Sequence, residues 1–196
     1  YGDHRDLHSF PTRRSSDIRK AVDIDTYAQK EKTMFIEKRI EELGIELPSS
    51  PLPGAMYVPV KRLGKALYIS GQVPMKDGKP IYTGKVGSER SIEYAQEAAR
   101  LCVINMLAAV REYLGDLDRV ADIVKLQAFV NSETGFTNQH IVANAASQLL
   151  YDIFGEAGRH TRTAVGTNQL PMDFTVEIEA IIEIRESGEW DTISKH

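Results

Sequence analysis

Apolar residues recur along this chain in two periods, and the switches between them outline its elements. Ile36, Ile40 and Leu43 are spaced for one face of a helix, and Gly44 follows as a C-terminal stop. Residues 48–53 hold three prolines and read as an extended linker. Met56 to Arg62 and Ala66 to Gln72 then read as two strands joined by a hairpin around Leu63-Gly64-Lys65. Asp77-Gly78 marks a turn, and residues 79–88 hold a short strand or a loop. Ser91 can cap a long helix reaching Leu114. Its apolar stripe is Ala95, Ala98, Ala99, Cys102, Val103, Met106, Leu107 and Val110, with Gly115 at the exit. Ile123 to Ser132 reads as a strand with Val124, Leu126, Ala128 and Val130 on one face. Thr137 is the expected cap of a second helix carrying Ile141, Val142, Ala145, Leu149, Leu150 and Ile153, ended by Gly155.

Two strands close the pattern. Arg162 begins a short β-branched segment through Gly166. A turn at Leu170-Pro171 follows, and Val176 to Ile182 alternates strictly. Successive side chains in a strand point to opposite faces, so Glu177 and Glu179 share one face and Val176, Ile178, Ala180 and Ile182 the other. The two segments are expected to pair as a hairpin, with an arginine on one strand and two carboxylates on its neighbour. Such a pair could bind a carboxylate and position a water. On spacing alone the plainer reading is favoured, the solvated face of a half-buried antiparallel pair.

The order of elements predicts an α+β domain, a mixed sheet with helices on one face. Glu177, Glu179, Lys125, Gln127 and Phe129 fall on the opposite face, which is neither purely polar nor a normal core. Self-association through that face is expected.

Composition narrows the function. Of 196 residues, 42% are hydrophobic and 27% charged, which suits one soluble globular domain with appendages. The net charge of −4 gives no footprint for nucleic acid. A single cysteine, Cys102, excludes an internal disulfide and a cysteine-based zinc cage, and on the helix stripe it reads as a buried structural residue. No apolar run reaches bilayer length and the first residues lack a signal-peptide core, so cytoplasm is the expected compartment. Residues 1–33 carry neither period, and residues 1–17 resemble translated sequencing-adapter sequence. Lys30-Glu31 can be encoded by a ribosome-binding sequence just before the codon for Met34. Residues 1–33 are therefore expected to be a non-native or disordered extension, with the domain at 34–186 and a polar tail at 187–196 containing Trp190.

Three motifs carry a resemblance. Tyr57-Val58-Pro59-Val60 precedes Leu67-Tyr68-Ile69-Ser70-Gly71-Gln72, with Tyr57 fourteen residues before Gly71. The central strand reads Asp122-Ile123-Val124-Lys125-Leu126-Gln127-Ala128-Phe129-Val130, and the arginine-to-glutamate block spans 162–180. Together they resemble the RidA/YjgF superfamily of reactive-intermediate deaminases, also called "endoribonuclease L-PSP", in its branch with longer loops. The resemblance implies a chorismate-mutase-like fold, a homotrimer around a central barrel, and a small-molecule pocket at each subunit interface. It implies hydrolysis of imine and enamine products such as 2-aminoacrylate to a ketoacid and ammonia, without metal or organic cofactor.

Carried onto this chain, the family's carboxylate-binding arginine is Arg162. Its site glutamate is Glu177, and its pocket aromatic is Tyr57. Gly71 and Ala164 would offer backbone groups, and Asn144 a pocket amide. Glu179 reads as a structural, barrel-lining neighbour. A guanidinium suits a carboxylate because its planar fork binds both oxygens. A positioned carboxylate can orient a water or move its proton. Three positions depart from the pattern: Ala164 stands where many deaminating members carry cysteine, Pro59 where glutamine or histidine is frequent, and His160 where a small residue or proline precedes the arginine. His160 then reads as a loop or interface residue, His140 as a surface residue, and residues 84–87 as a pocket-covering loop without Walker spacing. A second function class keeps the pocket as a non-catalytic sensor of small carboxylates, which Ala164 would favour. An endoribonuclease has no basic groove or paired histidines to support it.

Overall fold

The structure, a computed structural model, describes residues 35–49 and 56–186. The expected extension at 1–33, the tail at 187–196 and most of the proline linker lie outside these residues.

Chain order runs α1 (Phe35–Glu42), β1 (Val60–Leu63), β2 (Ala66–Gln72), β3 (Met75–Lys76), β4 (Lys79–Pro80), α2 (Ile92–Leu114), β5 (Val120–Asn131), α3 (Gln139–Phe154), β6 (Thr161–Thr167) and β7 (Val176–Ile184). Five strands form one mixed sheet in the order β1-β2-β7-β5-β6, and β3 and β4 form a small separate hairpin. Asp77 and Gly78 both have positive φ there, the conformation a two-residue hairpin turn requires. The α+β reading of the sequence holds.

α2 and α3 pack on one face of the sheet. Every residue of the α2 stripe is buried, and so are Leu126, Ala128, Ile178 and Ile182 beneath it. Ser91 caps α2 by accepting the Tyr94 amide at 3.2 Å, and Gly115 ends it at φ +81°. α1 starts on a different cap. Asp118, buried just before β5, accepts the amides of Phe35 at 2.8 Å and Ile36 at 2.7 Å. These are donors that the first helical turn cannot satisfy itself.

Three local expectations shift. β1 starts at Val60 rather than Met56. Residues 57–59 lie along β2 instead, with the Pro59 carbonyl accepting the Ser70 amide at 2.9 Å. α3 starts after Asn138, not Thr137, and no side chain caps it. Val124 does not share the buried face of β5. The register runs from Ile123 opposite Ile182 to Lys125 opposite Ile181, so Val124 is the extra residue of a β-bulge and is exposed, while Ile123 takes its place in the core. Val86 is fully buried beside Ser132, and Lys85 donates to Asn131 Oδ1 at 2.8 Å.

The largest correction concerns the last two strands. β6 and β7 are not a hairpin. β6 pairs parallel with β5 at the sheet's outer edge, and β7 runs antiparallel between β5 and β2. The cause is α3. A helix between two strands makes a crossover unit, which returns the chain parallel to the strand before it. The segment after β6 then carries the chain past β5 to the sheet's centre.

Candidate active site

The predicted site residues fall into two groups. The first gathers around the end of β2. Between Ile69 opposite Ala180 and Gln72 opposite Ile178, β2 spends one residue more than β7, so Gly71 lies in a bulge. A Cβ on Gly71 would stand 1.9 Å from Glu177 Oε1 and 2.8 Å from Cδ. The Glu177 carboxylate thus lies across bare backbone. Tyr57 belongs to the segment 57–59 that runs beside Ser70. It is half exposed, and the next carbonyl, that of Val58, accepts the Ser70 hydroxyl at 2.8 Å.

Glu177 and Glu179 share the sheet face away from the helices, as their parity requires. Burial raises the Glu177 carboxyl above the ordinary carboxylate range, and the charge of Glu179 adds to the shift. A carboxyl moved toward neutrality is better placed to exchange protons with a substrate. Glu179 itself lines a shallow concavity of about 330 Å³ on that face with Lys125, Gln127 and Tyr68.

The second group gathers on α3. Arg162 stands opposite Leu126, on the helix side of edge strand β6, and its side chain reaches over α3. Nη1 donates to Ser147 Oγ at 2.9 Å and Nη2 to the His140 carbonyl at 3.3 Å. These bonds use two of the five N–H groups of a guanidinium. Arg162 borders a cleft of about 550 Å³, lined also by Asn144, Ser147, Gln148, Tyr151 and His160. The α3 members recur at i, i+3, i+4 and i+7, a polar stripe on one helical face.

His160 lies on the loop before β6, as expected, and that loop borders this cleft. Its Nδ1 lies 2.7 Å from the Gly158 carbonyl and its Nε2 lies 3.0 Å from Ser147 Oγ. A carbonyl only accepts, so Nδ1 carries the proton in the neutral ring and Nε2 accepts from the Ser147 hydroxyl. Burial holds His160 below its ordinary pKa range. The bond to Gly158 opposes that shift, and the charge of Arg162 supports it. Gly158 makes the arrangement possible: a Cβ there would come 2.2 Å from the Leu150 carbonyl oxygen of α3.

Ala164 shares the helix-facing side of β6 with Arg162 and packs against the core. Its side chain contributes no functional group, so only its backbone can meet a ligand. Within one chain the two groups stay apart. Arg162 is level with Leu126 and Glu177 with Phe129, on opposite faces of the sheet. Two strand spacings and three residue steps separate their Cα atoms by about 14 Å. Sequence reasoning missed Ser147, Gln148 and Tyr151, although their spacing from Asn144 was readable. It also missed Gly158, for which no local signal exists.

Among the described residues no three His, Cys, Asp or Glu side chains are grouped to hold a metal ion, and no helix is long and apolar enough to cross a membrane.

The fold is that of a chorismate-mutase-like α+β domain, and the relatives agree. The family model described as "YjgF/chorismate_mutase-like, putative endoribonuclease" matches residues 37–183. The solved structure of protein Atu1372 from Agrobacterium tumefaciens is 47% identical, with a TM-score of 0.71, covering 77% of this chain and 94% of its own. Protein TCP17 of Trypanosoma cruzi is 42% identical over 76% of this chain and 94% of its own length. A 2-iminobutanoate/2-iminopropanoate deaminase of Dermatophagoides farinae is 29% identical over 71% of this chain and 94% of its own. The chain belongs to the RidA/YjgF family.

Proposed function

We propose that this protein hydrolyses small 2-imino and 2-enamino acids to a 2-oxo acid and ammonia, in a site formed between copies of the chain in a homotrimer. The observation that carries the reading is Arg162. It is fixed at the mouth of a polar cleft with three N–H donors left for a ligand. A substrate carboxylate is the natural partner of that fork. The deaminase relative supports the same chemistry.

The residues divide the reaction between them. Arg162 holds the carboxylate, with Asn144 beside it. Glu177 orients a water toward the imine carbon and takes its proton as the C–O bond forms. The C=N electron pair moves onto nitrogen, which gains a proton to give a carbinolamine. Breaking the C–N bond releases ammonia, and loss of the hydroxyl proton leaves the ketone. Tyr57 and Gly71 border the glutamate end. Arg162 and Glu177 of one chain lie too far apart to act on one small substrate, so the two groups complete each other across a subunit interface.

A non-catalytic sensor of small carboxylates is the second reading. Ala164 favours it, because the thiol frequent in deaminating relatives is absent. The net charge of −4 argues against ribonuclease action. The test generates 2-iminobutanoate with an amino-acid oxidase and follows 2-oxobutanoate. Acceleration by wild type, lost by about 10²-fold in a folded Arg162→Ala variant, supports the enzyme. No acceleration defeats it. Thermal stabilisation by 2-oxobutanoate without turnover supports the sensor.

A further inference from the structure

Three bonds run in series beneath the proposed carboxylate site: Gly158 carbonyl to His160, His160 to Ser147, and Ser147 to Arg162. We propose that Ser147 and His160 are positioning residues that preorganise Arg162 to receive the substrate carboxylate. The inference rests on the reading of Arg162 given above and identifies what holds that side chain in place.

A serine hydroxyl has one proton and two lone pairs. If the proton points at His160 Nε2, a lone pair is available to the Arg162 N–H. His160 can accept that proton only while Nε2 is bare, and the Gly158 carbonyl fixes this by taking the Nδ1 proton. The Gly158 carbonyl and the His160 ring, both from the segment 158–160, therefore set the direction of one hydroxyl on helix α3. The His140 carbonyl secures the other end of the guanidinium. Arginine loses substantial rotamer freedom when it binds. Holding it in place beforehand removes part of that loss from the binding step.

The relay leaves free the donors that the ligand needs. Of the five guanidinium N–H groups one meets Ser147 and one His140, and three remain. Neither Ser147 nor His160 needs to touch the reacting carbon. Their removal should therefore weaken substrate binding and leave the chemical step nearly intact.

The experiment uses the full-length chain and two readouts. Ser147→Ala is expected to raise KM, and the Kd for 2-oxobutanoate, by about tenfold with kcat within threefold of wild type. His160→Ala should raise both by about threefold to tenfold, and Ser147→Thr, which keeps the hydroxyl, should stay within about twofold. Unchanged KM and Kd in Ser147→Ala and His160→Ala would overturn the proposal, and so would an equal loss in Ser147→Thr. The second readout needs no activity. Nitrogen-15 spectra of histidine-labelled protein, with the His160→Ala variant as assignment, should show His160 as the neutral Nδ1–H tautomer. An Nε2–H tautomer would overturn the relay. If wild type neither turns over 2-iminobutanoate nor binds 2-oxobutanoate, the carboxylate-site reading fails, and the tautomer still decides the relay by itself.

Discussion

The Glu177 carboxylate fills the space that a side chain on Gly71 would need: a Cβ there would stand 1.9 Å from Oε1. Gly71 does not have positive φ, so alanine is excluded by this contact and not by its backbone. Gly71→Ala should therefore act by pushing the carboxylate aside. Deaminase activity should fall by about 10²-fold, the scale of a 1 Å misplacement. Thermal stability should change little, because the displaced atoms are the end of a flexible chain. The decisive comparison is made in a Glu177→Ala background, where Gly71→Ala should cost almost nothing further. A full additional loss would show that Gly71 acts on something other than Glu177.

Glu177 also predicts opposite pH trends for stability and activity. Burial and the charge of Glu179 raise its carboxyl in the folded protein. A raised folded pKa means that the folded chain binds this proton more tightly than the unfolded chain. The group's contribution to stability is then fully present below the ordinary glutamate value of 4.5 and is lost as pH rises through the folded value. At neutral pH Glu177→Gln should be more stable than wild type, by about 2–4 °C in Tm for each kcal/mol relieved. The gap should close as pH falls toward 4.5. Activity, which uses the carboxylate, should fall over the same window in wild type. Melting curves of both proteins across pH check the sign, and a gap that widens in acid would refute it.

Asp118 makes a prediction about α1. It alone accepts the amides of both Phe35 and Ile36, although it follows them by more than eighty residues. Asp118→Ala should cost about 1–2 kcal/mol, the range for losing a helix cap. Burial opposes the charge of Asp118 and the two amides favour it, so Asp118→Asn should recover part of the loss. Hydrogen exchange gives the specific readout: α1 amides should exchange faster in Asp118→Ala while those of α2 stay protected.

What the sequence disclosed follows the range of each interaction. The α2 stripe, the Asp77-Gly78 turn and the alternation of Val176 to Ile182 are set by neighbours within a few residues, and all were legible. Glu177 and Glu179 were correctly placed on one face for the same reason. The partner of β6 was not legible, because it depends on how α3 returns the chain. The expected hairpin put Arg162 and Glu177 side by side, where the sheet separates them by a strand and by its two faces. Val124 failed differently: one bulged residue inverted the parity of its strand. The place of His160 in the cleft was not legible because its partner Ser147 lies in the preceding helix, where the polar stripe at Asn144, Ser147, Gln148 and Tyr151 was the available sign.

Gly158 had no such sign. Its Cα rests against the end of α3, where a Cβ would come 2.2 Å from the Leu150 oxygen, 2.6 Å from its carbonyl carbon and 2.9 Å from the Tyr151 nitrogen. All three are backbone atoms of a hydrogen-bonded helix, so no rotamer change can make room. In contrast to Gly71→Ala, which displaces a flexible carboxylate, Gly158→Ala must move the loop away from α3. The cost should be about 1–3 kcal/mol, as for other overpacked sites. The loop also carries the carbonyl that fixes His160, so the shift should loosen the Ser147 contact and weaken Arg162. Gly158→Ala should therefore combine a lowered Tm with a raised KM, whereas Ser147→Ala should raise KM with a smaller loss of Tm. Thermal melts and steady-state kinetics on the two variants separate these patterns. A Gly158→Ala protein with wild-type Tm would show that the loop does not sit this close to the helix.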